Sequence, residues 1–125
     1  MPTENNFTLR GRIRSIRFAL RGLRLILLSQ HNAWVHAAIT AAVLVAGFYF
    51  HLSRLEWCLI VLAMMAVWTS EALNTALEFL CDVAAPEFHP LVEKAKDVAA
   101  GGVLISAIGA GIVGLLVFGY HLLLR

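Results

Sequence analysis

Three carboxylates and one amide share a face of a single predicted helix. Glu71, Glu78 and Asp82 are spaced i, i+7 and i+11, so at about 100° per residue they fall within roughly 40° of one another. Asn74 lies beside them. Mg²⁺ binds carboxylates together with phosphate oxygens, and a glutamate can serve as a general base. Because ionisable groups inside an apolar helix are costly, this face predicts a metal-nucleotide and proton-transfer site acting on a membrane lipid.

The composition places these groups in a membrane protein. Of the 125 residues, 60% are hydrophobic and only 14% are charged, and the mean hydropathy is +0.79. Soluble domains have about 45–50% apolar and about 25% charged residues. Cys58 and Cys81 lie in one apolar run, where helical geometry excludes a disulfide between them. We expect one domain over residues 1–125, with no cleavable signal peptide.

The N-terminal part has the pattern of a basic amphipathic helix over 9–29. Arginines recur along one side, opposite a continuous apolar face, at Arg10, Arg14, Arg17, Arg21 and Arg24. Such a helix lies in the plane of the membrane surface, with its arginines toward anionic headgroups. The continuous apolar face does not suit a nucleic-acid-binding arm, so no nucleic acid is expected as a partner.

Three apolar runs follow and predict an all-α integral membrane protein. The predicted transmembrane helices are 33–50, 57–81 and 98–120. The polar break Ser29–Asn32 precedes the first helix, and 51–56 and 82–97 are predicted as loops. Six arginines precede the first span and two lysines lie in 82–97, whereas Arg54 and Arg125 lie on the other side. This asymmetry predicts a cytoplasmic N-terminus.

The third run is rich in small residues. Ser106, Ala110 and Gly114 repeat at i, i+4 and i+8, a spacing that favours close helix packing in lipid. Because three helices make a thin scaffold for a polar site, we expect a homo-oligomer. No chemical role is assigned to His31, His36, His51 or His121, and we interpret His36 and His51 as interfacial packing or headgroup contacts. Trp68, one turn from Glu71, is a candidate for the wall of a lipid slot.

In its polar segments and their spacing, the chain resembles the small three-span bacterial lipid kinases, which comprise prokaryotic diacylglycerol kinase and undecaprenol kinase. The resemblance runs from about Arg17 to Leu116. It is strongest over Glu71-Ala-Leu-Asn-Thr-Ala-Leu-Glu78 with Asp82, over Glu87-Phe-His89 and over Ala95-Lys-Asp97-Val-Ala-Ala. The resemblance implies a homotrimer in the bacterial inner membrane that transfers the γ-phosphate of ATP, with Mg²⁺, to a lipid hydroxyl.

The resemblance also implies roles for individual residues. Glu71 is expected to be the general base, and Asn74 to help position the acceptor or the phosphate. Glu78 is expected to bind the metal ion. The expected ATP contacts are Glu78, Glu87, His89, Lys96 and Asp97, with Phe18 and Gln30 as further candidates.

The sequence departs from the family pattern before the first span. Many members have a second metal-binding glutamate where this chain has Gln30. An amide oxygen can bind Mg²⁺ without adding charge, so we expect either a weaker metal site or compensation by another oxygen ligand such as Asp82. A familiar arginine shortly afterwards is replaced by Trp34, which affects the expected lipid or nucleotide contacts at that end.

Two other classes of protein compete with a kinase. A small proton-coupled exporter also uses an intramembrane glutamate, but usually has four spans with the glutamate in the first. An assembly subunit leaves the carboxylate face unexplained. Within the kinase class we favour undecaprenol over diacylglycerol as the lipid acceptor, because two segments resemble the undecaprenol kinase branch of the family: Arg54-Leu-Glu-Trp57 and Pro86-Glu-Phe-His-Pro90.

Overall fold

The computed structural model describes residues 8–124, which form four α-helices with no strand in that range. The helices are α1 (Leu9–Ser29), α2 (His31–Tyr49), α3 (Arg54–Ala84) and α4 (Pro90–Leu123). Helices α2, α3 and α4 are each long and apolar enough to cross a membrane. The prediction of an all-α protein with three helices of spanning length is therefore confirmed.

A single residue separates α1 from α2. Gln30 has an extended backbone (φ −111°, ψ 119°) and is both the C-cap of α1 and the N-cap of α2. The polar break predicted over four residues is thus reduced to one, because Ser29 belongs to α1 and His31 and Asn32 belong to α2. This sharp junction holds the Gln30 side chain at a fixed place beside α3. The location of α1 on the membrane surface remains a prediction.

The turn between α2 and α3 is tightly specified by its side chains. Ser53 and Glu56 form a reciprocal capping box at the start of α3. Gly47 is buried against Trp57, and a Cβ added there would lie 2.6 Å from the indole ring. The Trp57 indole therefore occupies the space that a side chain at position 47 would need.

The segment 82–97 is mostly helical, and its prediction as a loop was wrong. Helix α3 continues to Ala84 and α4 begins at Pro90, which leaves only 85–89 as the connection. Proline suits the first helical position because it has no N–H to leave unpaired, and His89 Nδ1 accepts a hydrogen bond from the Leu91 N–H at 3.2 Å. The first turns of α4 consequently present their polar side chains from a rigid helix.

The helices extend beyond the predicted spans at several ends. Helix α2 begins at His31 and stops at Tyr49, one residue short of the predicted end, while α3 and α4 begin before 57 and 98. Which parts lie in the bilayer remains a prediction. Arg125, which entered the prediction of orientation, lies outside the described residues, as do residues 1–7.

Helix α3 packs mainly against α4, and the core lies at the end of the bundle away from the polar face. Its buried members are Leu52, Ile60 and Val117. Most large apolar side chains of the described residues are instead exposed on this single chain. Such a surface is normal for a membrane protein, in which lipid or other copies of the chain cover it.

Candidate functional site

Glu78 is the centre of a polar cluster that joins three helices. Asn74 Nδ2 donates a hydrogen bond to Glu78 Oε1 at 3.0 Å, one turn earlier on α3. Gln30 Nε2 donates to Glu78 Oε2 at 2.9 Å from the junction of α1 and α2. Both carboxylate oxygens are therefore held in place, and the cluster depends on the single-residue break that positions Gln30.

The cluster contains oxygen atoms of the kind that bind magnesium. Asn74 Oδ1 is a buried oxygen with no hydrogen-bond partner among the described residues. It lies on the residue that contacts Glu78, so an amide oxygen and a carboxylate are close together, and turning the Gln30 amide would add another oxygen. Residues 8–124 contain no group of three or more acidic, histidine or cysteine side chains that could hold a metal ion. One carboxylate with neutral oxygens fits Mg²⁺ bound jointly with substrate phosphates.

Glu71 lies two helical turns before Glu78 on α3, in a different environment. The residue is only 2% exposed. His36 of α2 faces it, with Nε2 3.7 Å from Glu71 Oε2. The Thr75 hydroxyl donates to the backbone carbonyl of Glu71 at 2.8 Å and leaves its carboxylate free for other contacts. A buried carboxylate beside an imidazole is the arrangement expected of a group that handles protons.

His36 is itself supported by its neighbours. Its ring meets Trp68 edge-on, with ring centroids 6.4 Å apart and an interplanar angle of 65°. Trp68 Nε1 in turn donates a hydrogen bond to the Thr40 hydroxyl at 3.0 Å. His36 and Thr40 are i and i+4 on α2, so they lie on the same face of that helix, and this face contacts α3.

An apolar cavity of about 260 Å³ extends from these residues between α2, α3 and α4. On α3 its lining reaches from Trp68 to Ile60, and on α4 it is formed by small residues and one leucine: Ala107, Ala110, Gly111, Gly114 and Leu115. A Cβ added at Gly111 or Gly114 would meet nothing within 4 Å. Within this single chain, the small residues of α4 therefore leave open space at these positions, and their close packing against another helix remains a prediction.

A second, polar pocket of about 390 Å³ lies where α3 ends and α4 begins. Lys96 Nζ and Asp82 Oδ1 are 2.6 Å apart across it. Lys96 precedes the apolar run 98–120, and its hydrogen bond to Asp82 raises the pKa of the lysine above its ordinary value. Several predicted nucleotide contacts share its lining: Glu87, His89, Lys96 and Asp97.

The structure groups the predicted residues differently from a single stripe. The carboxylates of Glu71, Glu78 and Asp82 have three separate partners: His36, Gln30 with Asn74, and Lys96. The role of Asp82 as a metal ligand remains a prediction, and its pairing with Lys96 does not favour it. Phe18 lies exposed on α1, with the Arg21 guanidinium 5.6 Å from its ring centroid, and its proposed nucleotide contact also remains a prediction.

Sequence reasoning missed the contact between His36 and the carboxylate on α3. The available signal was that His36 and Thr40 are the two polar side chains in the run 33–50, spaced one helical turn apart. Their common face was visible in the sequence, but its partner was not.

Comparison with known proteins shows the family of this chain. The family model for prokaryotic diacylglycerol kinase matches residues 17–118. An undecaprenol kinase of Bacillus subtilis is 40% identical over 105 residues, covering 84% of this chain and 85% of that protein. A diacylglycerol kinase of Synechocystis is 38% identical over 101 residues, covering 80% of this chain and 58% of that protein. A diacylglycerol kinase of Escherichia coli is 27% identical over 117 residues, covering 87% and 89%. The chain belongs to the prokaryotic diacylglycerol kinase family.

Proposed function

We propose that this protein is a multi-pass membrane lipid kinase that transfers the γ-phosphate of ATP to the hydroxyl of a membrane lipid, with undecaprenol favoured over diacylglycerol. Membership of the family supports a kinase over a proton-coupled transporter. The observation that carries the proposal is the position of Glu71. Its buried carboxylate lies beside the apolar cavity, and the polar cluster of Glu78 follows on the same helix.

The reaction needs a base and an oriented acceptor. As the lipid hydroxyl oxygen forms a bond to the γ-phosphorus, the bond from that phosphorus to the β,γ-bridging oxygen breaks and ADP leaves. Glu71 accepts the hydroxyl proton. Burial keeps bulk water from competing for the carboxylate, and phosphoryl transfer depends mostly on positioning and charge stabilisation. The helix on which Glu71 lies supplies that positioning.

We assign the lipid tail to the apolar cavity. The cavity begins at His36 and Trp68, next to Glu71, so a hydroxyl at the carboxylate would continue into an apolar chain between the helices. From Glu71 to Ile60 the distance along α3 is about 16 Å at 1.5 Å per residue. One apolar slot of about 260 Å³ suits one chain better than two, which supports undecaprenol as the acceptor.

We assign the nucleotide to the polar pocket and the adjoining cluster. Lys96 would balance phosphate charge there, and His89, which caps α4, lies on the same wall. Glu78 with Asn74 and Gln30 would hold Mg²⁺, which when bound neutralises charge on the nucleotide phosphates. The cluster and the pocket lie near each other, because Glu78 and Asp82, which lines the pocket, are one turn apart on α3.

The proposed setting is the bacterial inner membrane, with the nucleotide end in the cytoplasm. The arginines of α1 support this orientation, since α1 adjoins the Gln30 end of the bundle. The extensive exposed apolar surface supports a homo-oligomer, for which a trimer is proposed from the family resemblance.

The test compares two glutamates on one helix. Purified protein in lipid vesicles is given radiolabelled ATP, Mg²⁺ and either undecaprenol or diacylglycerol, and the labelled lipid phosphate is measured. Glu71→Gln should abolish transfer, because an amide cannot accept the proton. Glu56→Gln is the matched control at the other end of α3 and should remain active. Transfer that survives in Glu71→Gln would refute the assignment of the base, and ATP consumption without a lipid product would refute the kinase.

A further inference from the structure

We propose that His36 is a positioning residue for the catalytic carboxylate of Glu71. This inference rests on the proposed kinase function and goes beyond it, since His36 belongs neither to the nucleotide pocket nor to the Glu78 cluster. Its imidazole is the only basic side chain of the described residues that lies within 4 Å of the Glu71 carboxylate. The side chains of His36 and Glu71 are 16% and 3% exposed, so the carboxylate is hardly solvated by water.

The hydrogen-bond donors of two neighbours of Glu71 on α3 are engaged elsewhere. Asn74 donates to Glu78, and the Thr75 hydroxyl donates to a backbone carbonyl. On the cavity side, α4 presents Ala107, Ala110 and Gly111, which have no polar side chain. A buried carboxylate is stable only with a polar partner. In this bundle the His36 imidazole faces that carboxylate, with Nε2 3.7 Å from Oε2.

The separation indicates how the pair works. A distance of 3.7 Å between Nε2 and Oε2 is too long for a direct hydrogen bond, so an oxygen atom can approach both groups. The acceptor hydroxyl arriving from the cavity would be that oxygen. Trp68 fixes the imidazole through its edge-on contact and is itself tied to Thr40. His36 thereby holds the carboxylate and the arriving hydroxyl in register.

The test separates the N–H donor of His36 from its ring. His36→Phe keeps a ring against Trp68 and removes the donor, whereas His36→Gln restores a donor without the ring. The matched control is His121→Phe, because His121 also has a side chain 16% exposed and faces a carboxylate, Glu56, at 2.8 Å. That pair lies about 22 Å from Glu71 along α3. Measured for each are kcat, the KM values for ATP and lipid, and the thermal unfolding temperature.

His36→Phe is expected to lower kcat about tenfold to hundredfold with the KM for ATP unchanged, since small displacements of a reacting group have effects of this size. His36→Gln should recover most of kcat, and His121→Phe should stay within about twofold of the wild type. Thr40→Val, which removes only the hydroxyl that holds Trp68, should lower kcat a few-fold, and it takes the place of His36→Phe should that variant not fold.

Wild-type kcat in His36→Phe and Thr40→Val would overturn the inference, as would a loss that His36→Gln does not recover. A wild-type protein that phosphorylates no lipid, or an active Glu71→Gln variant, would instead overturn the proposed function and this inference with it. An inactive Glu71→Gln variant beside a fully active His36→Phe variant overturns the role of His36 alone.

Discussion

Replacing Gln30 by glutamate should make this protein depend strongly on magnesium. The Gln30 amide donates to Glu78 at 2.9 Å, so a glutamate there would bring two carboxylates into contact. At about 4 Å such charges repel by about 1 kcal/mol in water and about 4 kcal/mol at an effective dielectric constant near 20. Loss of the hydrogen bond to a charged group costs about 1.5–3 kcal/mol more. Since the new side chain can turn away, we expect Gln30→Glu to lose about 2–3 kcal/mol of stability without metal.

Magnesium should reverse this loss. A divalent ion between the two carboxylates removes their repulsion, and each 1.4 kcal/mol of relief corresponds to a tenfold change in affinity. For each protein we consider the Mg²⁺ concentration that gives half of the Mg²⁺-dependent rise in unfolding temperature. This concentration should be about tenfold or more lower for Gln30→Glu than for the wild type.

The assay is thermal unfolding in detergent across a Mg²⁺ titration without nucleotide, followed by the same titration of kinase activity. Gln30→Ala is the control, because it loses the hydrogen bond without adding charge and should unfold earlier at every Mg²⁺ concentration. If the unfolding temperature of Gln30→Glu does not change with Mg²⁺ concentration, the metal site at Glu78 is refuted.

Other predictions concern the two pockets and the helix start. Lys96→Met, which frees Asp82, should raise the KM for ATP about tenfold or more, since a hydrogen bond to a charged group is worth about 1.5–3 kcal/mol; an unchanged ATP titration would contradict the nucleotide pocket. Gly114→Leu should fill the cavity and raise the KM for lipid, whereas Gly109→Leu, equally unobstructed but outside the cavity lining, should not. Equal effects of the two would contradict the lipid slot. Ser53→Ala should lower the free energy of unfolding by about 1 kcal/mol through loss of the helix cap, measured by denaturation, with activity retained.

Helix positions were predictable because apolar runs and arginine spacing are local signals. The basic pattern predicts α1 over the residues at which it forms, and the three apolar runs lie almost entirely within α2, α3 and α4. The error over 82–97 has a physical origin. Polar side chains and prolines look like a loop, but Pro90 is at a helix start, where proline is favoured, and the charged residues that follow are outer turns of α4.

The site was predictable only in part, because helix periodicity shows which side chains share a face but not what they face. The angles of Glu71, Glu78 and Asp82 are close, yet each contacts a different segment. The partner of Glu71 depends on how α2 crosses α3, which local patterns do not determine. The small residues of α4 were open to the same ambiguity, since close packing and a cavity use identical residue types.

The cavity can exist because α3 and α4 are joined on both sides of it. At one end they share the apolar core of Leu52, Ile60 and Val117, and at the other Asp82 Oδ1 and Lys96 Nζ are 2.6 Å apart. Between these two ends, small residues on α4 leave space that helix packing in lipid would ordinarily close. Since the ends fix the alignment of the two helices, the middle need not pack tightly to hold it. An open apolar slot beside a buried carboxylate is therefore compatible with a rigid helical pair, which is the combination that a kinase acting on a lipid hydroxyl requires.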